Sequence, residues 1–191
     1  KNKYSIIVCL FQGLRGAMKQ GSEKSPFMFP ALIRAALAVA GVLIGFFAAR
    51  AFITHYSVSD DSMLPNYKRG DLVFVLKHVS PSAGDAVLVH SPVEPDRVLL
   101  KRVVGTEGDF IELRNKVLYR NNQKYSFKWK TKSVDNRVFP MSFTQRDNMP
   151  AVKIERRAIF VMGDNLDYSF DSRSFGPVDG SRIIGRVIFK L

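Results

Sequence analysis

Ser62 and Lys101 are the residues best suited to covalent chemistry. Ser62 stands in Ser62-Met63-Leu64-Pro65, and Lys101 follows the apolar run Val98-Leu99-Leu100. A serine hydroxyl is a weak nucleophile until a neighbouring base takes its proton. An ordinary lysine titrates near about 10.4 and works as a base at neutral pH only where burial disfavours its charged form. A strand lysine with apolar neighbours meets that condition, and Ser–Lys pairs are a known variant of the serine-triad logic. Of the three histidines, His55 borders an apolar segment and His78 sits at a turn. His90 ends a strand and stays open as an alternative base.

A second stretch, Val161 to Val178, reads VMGDNLDYSFDSRSFGPV. A short apolar strand runs into a long loop of hydroxyls, amides and carboxylates, closed by Gly176-Pro177. Asp, Asn and Ser hydrogen-bond their own backbone, so such a loop can be rigid without deep packing. Asp171 and Arg173 can form a fixed ion pair that holds it. A rigid polar loop on a strand scaffold is a common place for a site.

The elements that must position these residues are mostly strands. Leu72–Leu76 and Ala86–His90 each follow Gly-Asp, and Arg97–Val104, Asp109–Leu113, Val117–Arg120, Val152–Ile154, Ala158–Met162 and Ile183–Lys190 complete the expected set. Short strands with Gly/Pro turns and no convincing soluble helix argue an antiparallel, barrel-like β domain over 55–191. Residues 121–150 are polar, basic and weakly periodic, and read as an inserted flap. Upstream, residues 31–54 hold fifteen uncharged, mostly apolar residues between Arg34 and Arg50. Since about 20 residues cross a bilayer and terminal arginines snorkel, this segment reads as one transmembrane helix. Ser62 lies eight residues beyond Thr54, so it can stand no more than roughly 30 Å from the helix end.

The chain of 191 residues carries a net charge of +12, with 29 basic and 17 acidic residues. The first 56 residues hold seven of the bases and one acid, Glu23. Basic residues before the helix favour a cytoplasmic N-terminus and suit anionic lipid. The lysines around Trp129 (Lys124, Lys128, Lys130, Lys132) read as a solvated basic flap rather than a nucleic-acid site, since no nucleic-acid motif accompanies them. A lone cysteine, Cys9, excludes an intrachain disulfide. No metal-ligand cluster is visible, and no cofactor is expected. Residues 1–30 read as a basic N-terminal segment. Residue 1 is Lys rather than Met, which leaves room for a longer natural chain and a second membrane pass.

Four boxes occur in order after the apolar helix: Ser62-Met63-x-Pro65, Gly84-Asp85-x-Val87, Lys101-Arg102-Val103-Val104-Gly105-x-x-Gly108-Asp109, and Gly163-Asp164-Asn165-x-x-x-Ser169-x-Asp171-Ser172-Arg173-x-x-Gly176-Pro177-Val178. Together they resemble the motifs of the type I signal peptidases, over Ala31 to Leu191. The resemblance implies a membrane-anchored, mostly β serine endopeptidase that removes signal peptides from exported preproteins and prefers small side chains at −1 and −3. It implies Ser62 as nucleophile, Lys101 as general base, Ser169 as the group orienting the amine, and Asp171 with Arg173 as the supporting ion pair. The Ser62 N–H would be one oxyanion donor. Met63, Leu64 and Pro65 are expected to line the substrate path, with Met63, Leu64 and Phe74 forming an apolar rim towards lipid. The implied location is a bacterial plasma membrane, with the peptidase domain on the extracytoplasmic side.

Two positions depart from the family pattern. Asp60 stands where relatives carry Ser or Gly, and a carboxylate cannot donate to an oxyanion unless protonated. Either Asp60 points away, or the oxyanion site is built differently, or activity is impaired. Asn66 replaces the usual Thr. The rival reading is a membrane-anchored binding module that has lost catalysis.

Overall fold

The computed structural model describes residues 28–191. The basic N-terminal segment expected over residues 1–30 therefore lies almost wholly outside the described residues.

Helix α1 runs from Met28 to Phe52. Its stretch Pro30–Phe52 is long and apolar enough to cross a membrane. The helix stops two residues short of the expected Thr54. Ile53 and Thr54 instead pair with Leu76 and Val75 in the first strand. Both are β-branched and fit a pleated surface better than a helix turn.

Eleven strands follow: β1 (Ile53–Ser57), β2 (Leu72–Lys77), β3 (Ala86–His90), β4 (Val98–Thr106), β5 (Phe110–Arg114), β6 (Val117–Arg120), β7 (Gln123–Lys124), β8 (Met149–Lys153), β9 (Ala158–Met162), β10 (Val178–Asp179) and β11 (Ile183–Lys190). A one-turn helix, α2, spans Ser172–Phe175. Seven strands form one sheet in the order β1-β2-β11-β3-β4-β9-β10, and four form another, β7-β6-β5-β8. All named strand pairs are antiparallel, so the fold is mostly antiparallel β, as short apolar runs between turn residues lead one to expect.

β3 and β4 lie at the middle of the larger sheet, and Leu99 to Gly105 are buried without interruption. Side chains alternate faces along a strand. Leu99 and Val103 enter one apolar cluster with Val87, Val89 and Val161. Leu100 enters another with Met63, Val73 and Leu88. Lys101 shares the face of Leu99 and Val103 and pairs with Val87. A charged residue type therefore stands in the middle of an apolar layer.

The stretch 121–150 carries only the short β7 and the first residues of β8 as regular structure. Tyr125, Phe127 and Trp129 pack on the cluster of Val104, Ile111, Phe160 and Met162. Beyond them, polar contacts tie the segment to the loop after β9. Asp167 accepts from the N–H groups of Val134 (2.6 Å) and Asp135 (3.0 Å).

Candidate active site

Strand register brings the distant sequence boxes together. β4 and β9 are antiparallel, with Arg102 opposite Met162. The next position sets Lys101 opposite Gly163, where β9 gives way to the polar loop. Arg102 and Asp164, their chain neighbours, form a two-pronged ion pair: Nε donates to Oδ1 at 2.8 Å and Nη2 to Oδ2 at 2.7 Å. Both residues sit inside the quoted boxes, yet no role was assigned to them from sequence. Their adjacency to Lys101 and Gly163 was the available signal.

The turn carrying Ser62 is held against this loop by backbone contacts. The Asn165 N–H donates to the Ser62 carbonyl at 2.9 Å, and the Asn165 side-chain amide donates to the Asp61 carbonyl at 3.0 Å. Asn66, the departure after Pro65, donates to Asp164 Oδ2 (2.8 Å) and to the Lys130 carbonyl (2.7 Å). It therefore ties the serine turn to both the polar loop and the 121–150 stretch.

Gly163 makes the approach possible. A Cβ at this position would collide with the Ser62 carbonyl oxygen and with Ser169 Oγ. Gly163→Ala is expected to lower any rate that depends on Ser62 about 100-fold, the scale for displacing a reacting group by an ångström. Steady-state kinetics would measure it. Adding Ser169→Gly should not restore the rate, because the Ser62 backbone clash remains.

Ser62 and Lys101 are close together and dry. Lys101 is 1% exposed and Ser62 5%, and Lys101 Nζ donates to Ser62 Oγ at 2.6 Å. Its second bond goes to the Leu100 carbonyl at 3.1 Å. Burial pushes the Lys101 amine below its ordinary value of 10.5, outweighing the Asp60 and Asp171 carboxylates that pull it up. No histidine bonds Ser62 among the described residues; His90, open as an alternative base, is exposed and bonds the Pro95 carbonyl at 3.3 Å. Asp60 does not point away. Its Oδ1 accepts from Ser62 Oγ at 2.6 Å and from the Ser62 N–H at 3.0 Å.

Asp171 and Arg173 are both buried, and their pair is bidentate, with Nε to Oδ1 at 2.9 Å and Nη2 to Oδ2 at 2.8 Å. Asp171 also caps α2 by accepting from the Arg173 N–H, and it accepts from the Gly163 N–H at 3.0 Å. Arg173 Nη1 donates to the carbonyls of Leu166 (2.8 Å) and Arg146 (3.1 Å). One ion pair thus closes the loop on itself. Burial alone would raise the Asp171 carboxyl; Arg173 and the Gly163 N–H hold it below 3.8 instead.

Two expected site residues take unexpected positions. Ser169 does not bond the Lys101 amine, which uses the Leu100 carbonyl; its buried hydroxyl is set towards Asp171, whose carboxyl it helps to hold down. Met63 has no exposed surface and packs in the core with Val73 and Leu88, so its side chain is not part of a surface rim. Leu64 is half-buried and Pro65 exposed.

Comparison with known proteins gives concordant matches. The family described as signal peptidase, peptidase S26, matches residues 31–191. Signal peptidase IB of Staphylococcus aureus is 32% identical over 165 residues, covering 81% of this chain and 85% of the relative. Signal peptidase I of Bacillus caldolyticus is 35% identical over 151 residues, covering 74% and 81%. A crystal structure of a signal peptidase I from Enterococcus faecalis matches at 24% identity and a TM-score of 0.45, covering 58% of this chain and 98% of that one.

Proposed function

The chain belongs to the signal peptidase family, peptidase S26, and is a serine peptidase; from that premise we propose that it cuts signal peptides from exported preproteins with a Ser62–Lys101 dyad. The observation that supports this most is the 2.6 Å contact between the Lys101 amine and Ser62 Oγ in a buried setting. Neutral Lys101 takes the Ser62 proton, and Oγ attacks the scissile carbonyl carbon. The carbonyl electron pair moves to oxygen, where the Ser62 N–H stabilises it. Lys101 then protonates the leaving amine, and a water, deprotonated by the same amine, releases the acyl group. Ser169, whose hydroxyl stands off the amine in the free chain, would turn to orient it once substrate is bound. Asp171 and Arg173 keep the loop in shape.

The substrate binds extended, adding to a strand edge with alternate side chains in pockets. Shallow pockets favour small residues at −1 and −3, with Leu64 and Pro65 beside the path. Helix α1 anchors the chain in a bacterial plasma membrane, with the peptidase domain on the extracytoplasmic side. No observation favours the rival reading of a binding module without catalysis, since both reacting residues are retained and in contact.

The test is cleavage of a preprotein with an Ala-x-Ala site by the detergent-solubilised chain, followed over pH. A lysine whose pKa is lowered by burial is protonated, and idle, below that pKa and active above it. The rate is therefore expected to rise with pH and level off below 10.5. A flat profile, or equal cutting of a site with Leu at −1 and −3, would sink the assignment.

A further inference from the structure

The Asp60 carboxylate meets both groups of Ser62 that the reaction needs. One oxygen, Oδ1, accepts the Ser62 N–H at 3.0 Å and the Ser62 hydroxyl at 2.6 Å. The N–H is the donor on which a developing oxyanion would rest. The hydroxyl has a single hydrogen. While that hydrogen is aimed at Asp60, it is not aimed at Lys101. Lys101 Nζ meanwhile makes two hydrogen bonds, to Ser62 Oγ and the Leu100 carbonyl.

Resting on the dyad reading above, we propose that Asp60 is a self-inhibitory positioning residue: its carboxylate fills the oxyanion place on the Ser62 N–H and holds the serine proton away from Lys101 until substrate displaces it. In the productive step the Ser62 Oγ bonds the carbonyl carbon and its proton passes to Lys101 Nζ. The carbonyl π pair becomes the oxyanion lone pair, on the N–H that Asp60 has left.

Charge works in the same direction as geometry. Ser62 Oγ lies 2.6 Å from each partner, which puts the two charges within about 5 Å of each other. The groups acting on Lys101 are Asp60 from the serine turn, Asp171 and Arg173 from the loop and α2, and Arg97 ahead of β4. Of the two carboxylates, Asp171 is already engaged by Arg173, which leaves Asp60 as the anion whose removal most favours the neutral amine. Burial would raise the Asp60 carboxyl, but Lys101 and the two bonds from Ser62 hold it below 3.8. It is therefore ionised wherever the enzyme works.

The experiment compares the full chain in detergent with Asp60→Asn and Asp60→Gly. Asparagine removes the charge but keeps an oxygen for the N–H; glycine removes both. An opposite charge this close shifts a pKa by about 1–3 units, so the acid limb of kcat/KM should fall by about 1–3 pH units in both variants. One unit below the unmodified limb, activity should rise about tenfold. Asp60→Gly should also raise the plateau kcat, and Asp60→Asn should do so less. An acid limb that stays or rises, or a plateau that falls in Asp60→Gly with an unchanged unfolding midpoint, would overturn the proposal. A second readout does not need turnover: the 13Cε resonance of Lys101, titrated by NMR in the unmodified chain and in Asp60→Asn. If the chain cuts no preprotein, the dyad reading fails by itself. A lower Lys101 titration in Asp60→Asn would still support the Asp60 coupling, and an unchanged one would overturn it.

Discussion

Lys101→Met is expected to lower signal-peptide cleavage by about 10⁴-fold or more while leaving the fold in place. General-base catalysis contributes about 10²–10⁴-fold, and losing one member of a concerted pair costs nearly as much as losing the whole unit. Methionine suits the test because Lys101 lies on the face of Leu99 and Val103, in an apolar layer with Val87 and Val161. An unbranched thioether fills that slot without charge. Ser62→Ala should cost as much, and the double variant little more than either, because each group is useless without the other. Single-turnover cleavage of a preprotein gives the rates, and thermal unfolding reports the fold. A Lys101→Met enzyme within tenfold of the unmodified rate would show that another group takes the proton. His90, on the exposed end of β3, would be the first to examine.

Arg173→Met is expected to destabilise the β unit by about 3–5 kcal/mol, the range for breaking a buried ion pair from one side. That is a large share of the roughly 5–15 kcal/mol that holds a typical domain together. Asp171 has no exposed surface and would be left charged without its partner. The carbonyls of Leu166 and Arg146 would lose their donor as well. Arg173→Lys should recover little, since an ammonium cannot bridge both carboxylate oxygens and reach two carbonyls.

The pH dependence separates this account from a simple packing loss. In the unmodified chain the Asp171 carboxyl is held below 3.8, so its contribution is present above that value and lost as pH falls through the folded pKa. Without Arg173, burial raises the same carboxyl, and protonation then favours the folded state. The gap between variant and unmodified chain should therefore narrow as pH falls from 7 towards 5. Denaturant unfolding followed by fluorescence of Trp129, the chain's one tryptophan, measures it. A gap that stays constant over that range would mean that the carboxylate charge is not what the arginine answers.

Much of this was legible in the chain itself, for a local reason. β3, β6, β9 and β11 occupy the stretches that short apolar runs and turn residues marked, since such runs are written residue by residue. The apolar stretch of α1 was visible for the same reason. β1, β7 and β10 were not foreseen. β1 and β10 are strands only because a distant partner pairs with them, as Ile53–Ser57 does with β2 and Val178 with Ile159, and β7 is only two residues laid against its neighbour β6. The chemistry followed the same division. Residue types, their order and the family resemblance they carry singled out Ser62, Lys101, Asp171 and Arg173 as candidates, because a serine turn, a lysine in an apolar run and a short-range ion pair are properties of short segments. Tertiary structure alone decided which atoms meet across 39 residues in the Lys101–Ser62 contact and 62 in the Arg102–Asp164 pair. Even Asp60, two residues from Ser62, could not be oriented from its neighbours. In the fold its carboxylate turns onto the Ser62 N–H, beside the Lys101 amine that β4 delivers to the same spot.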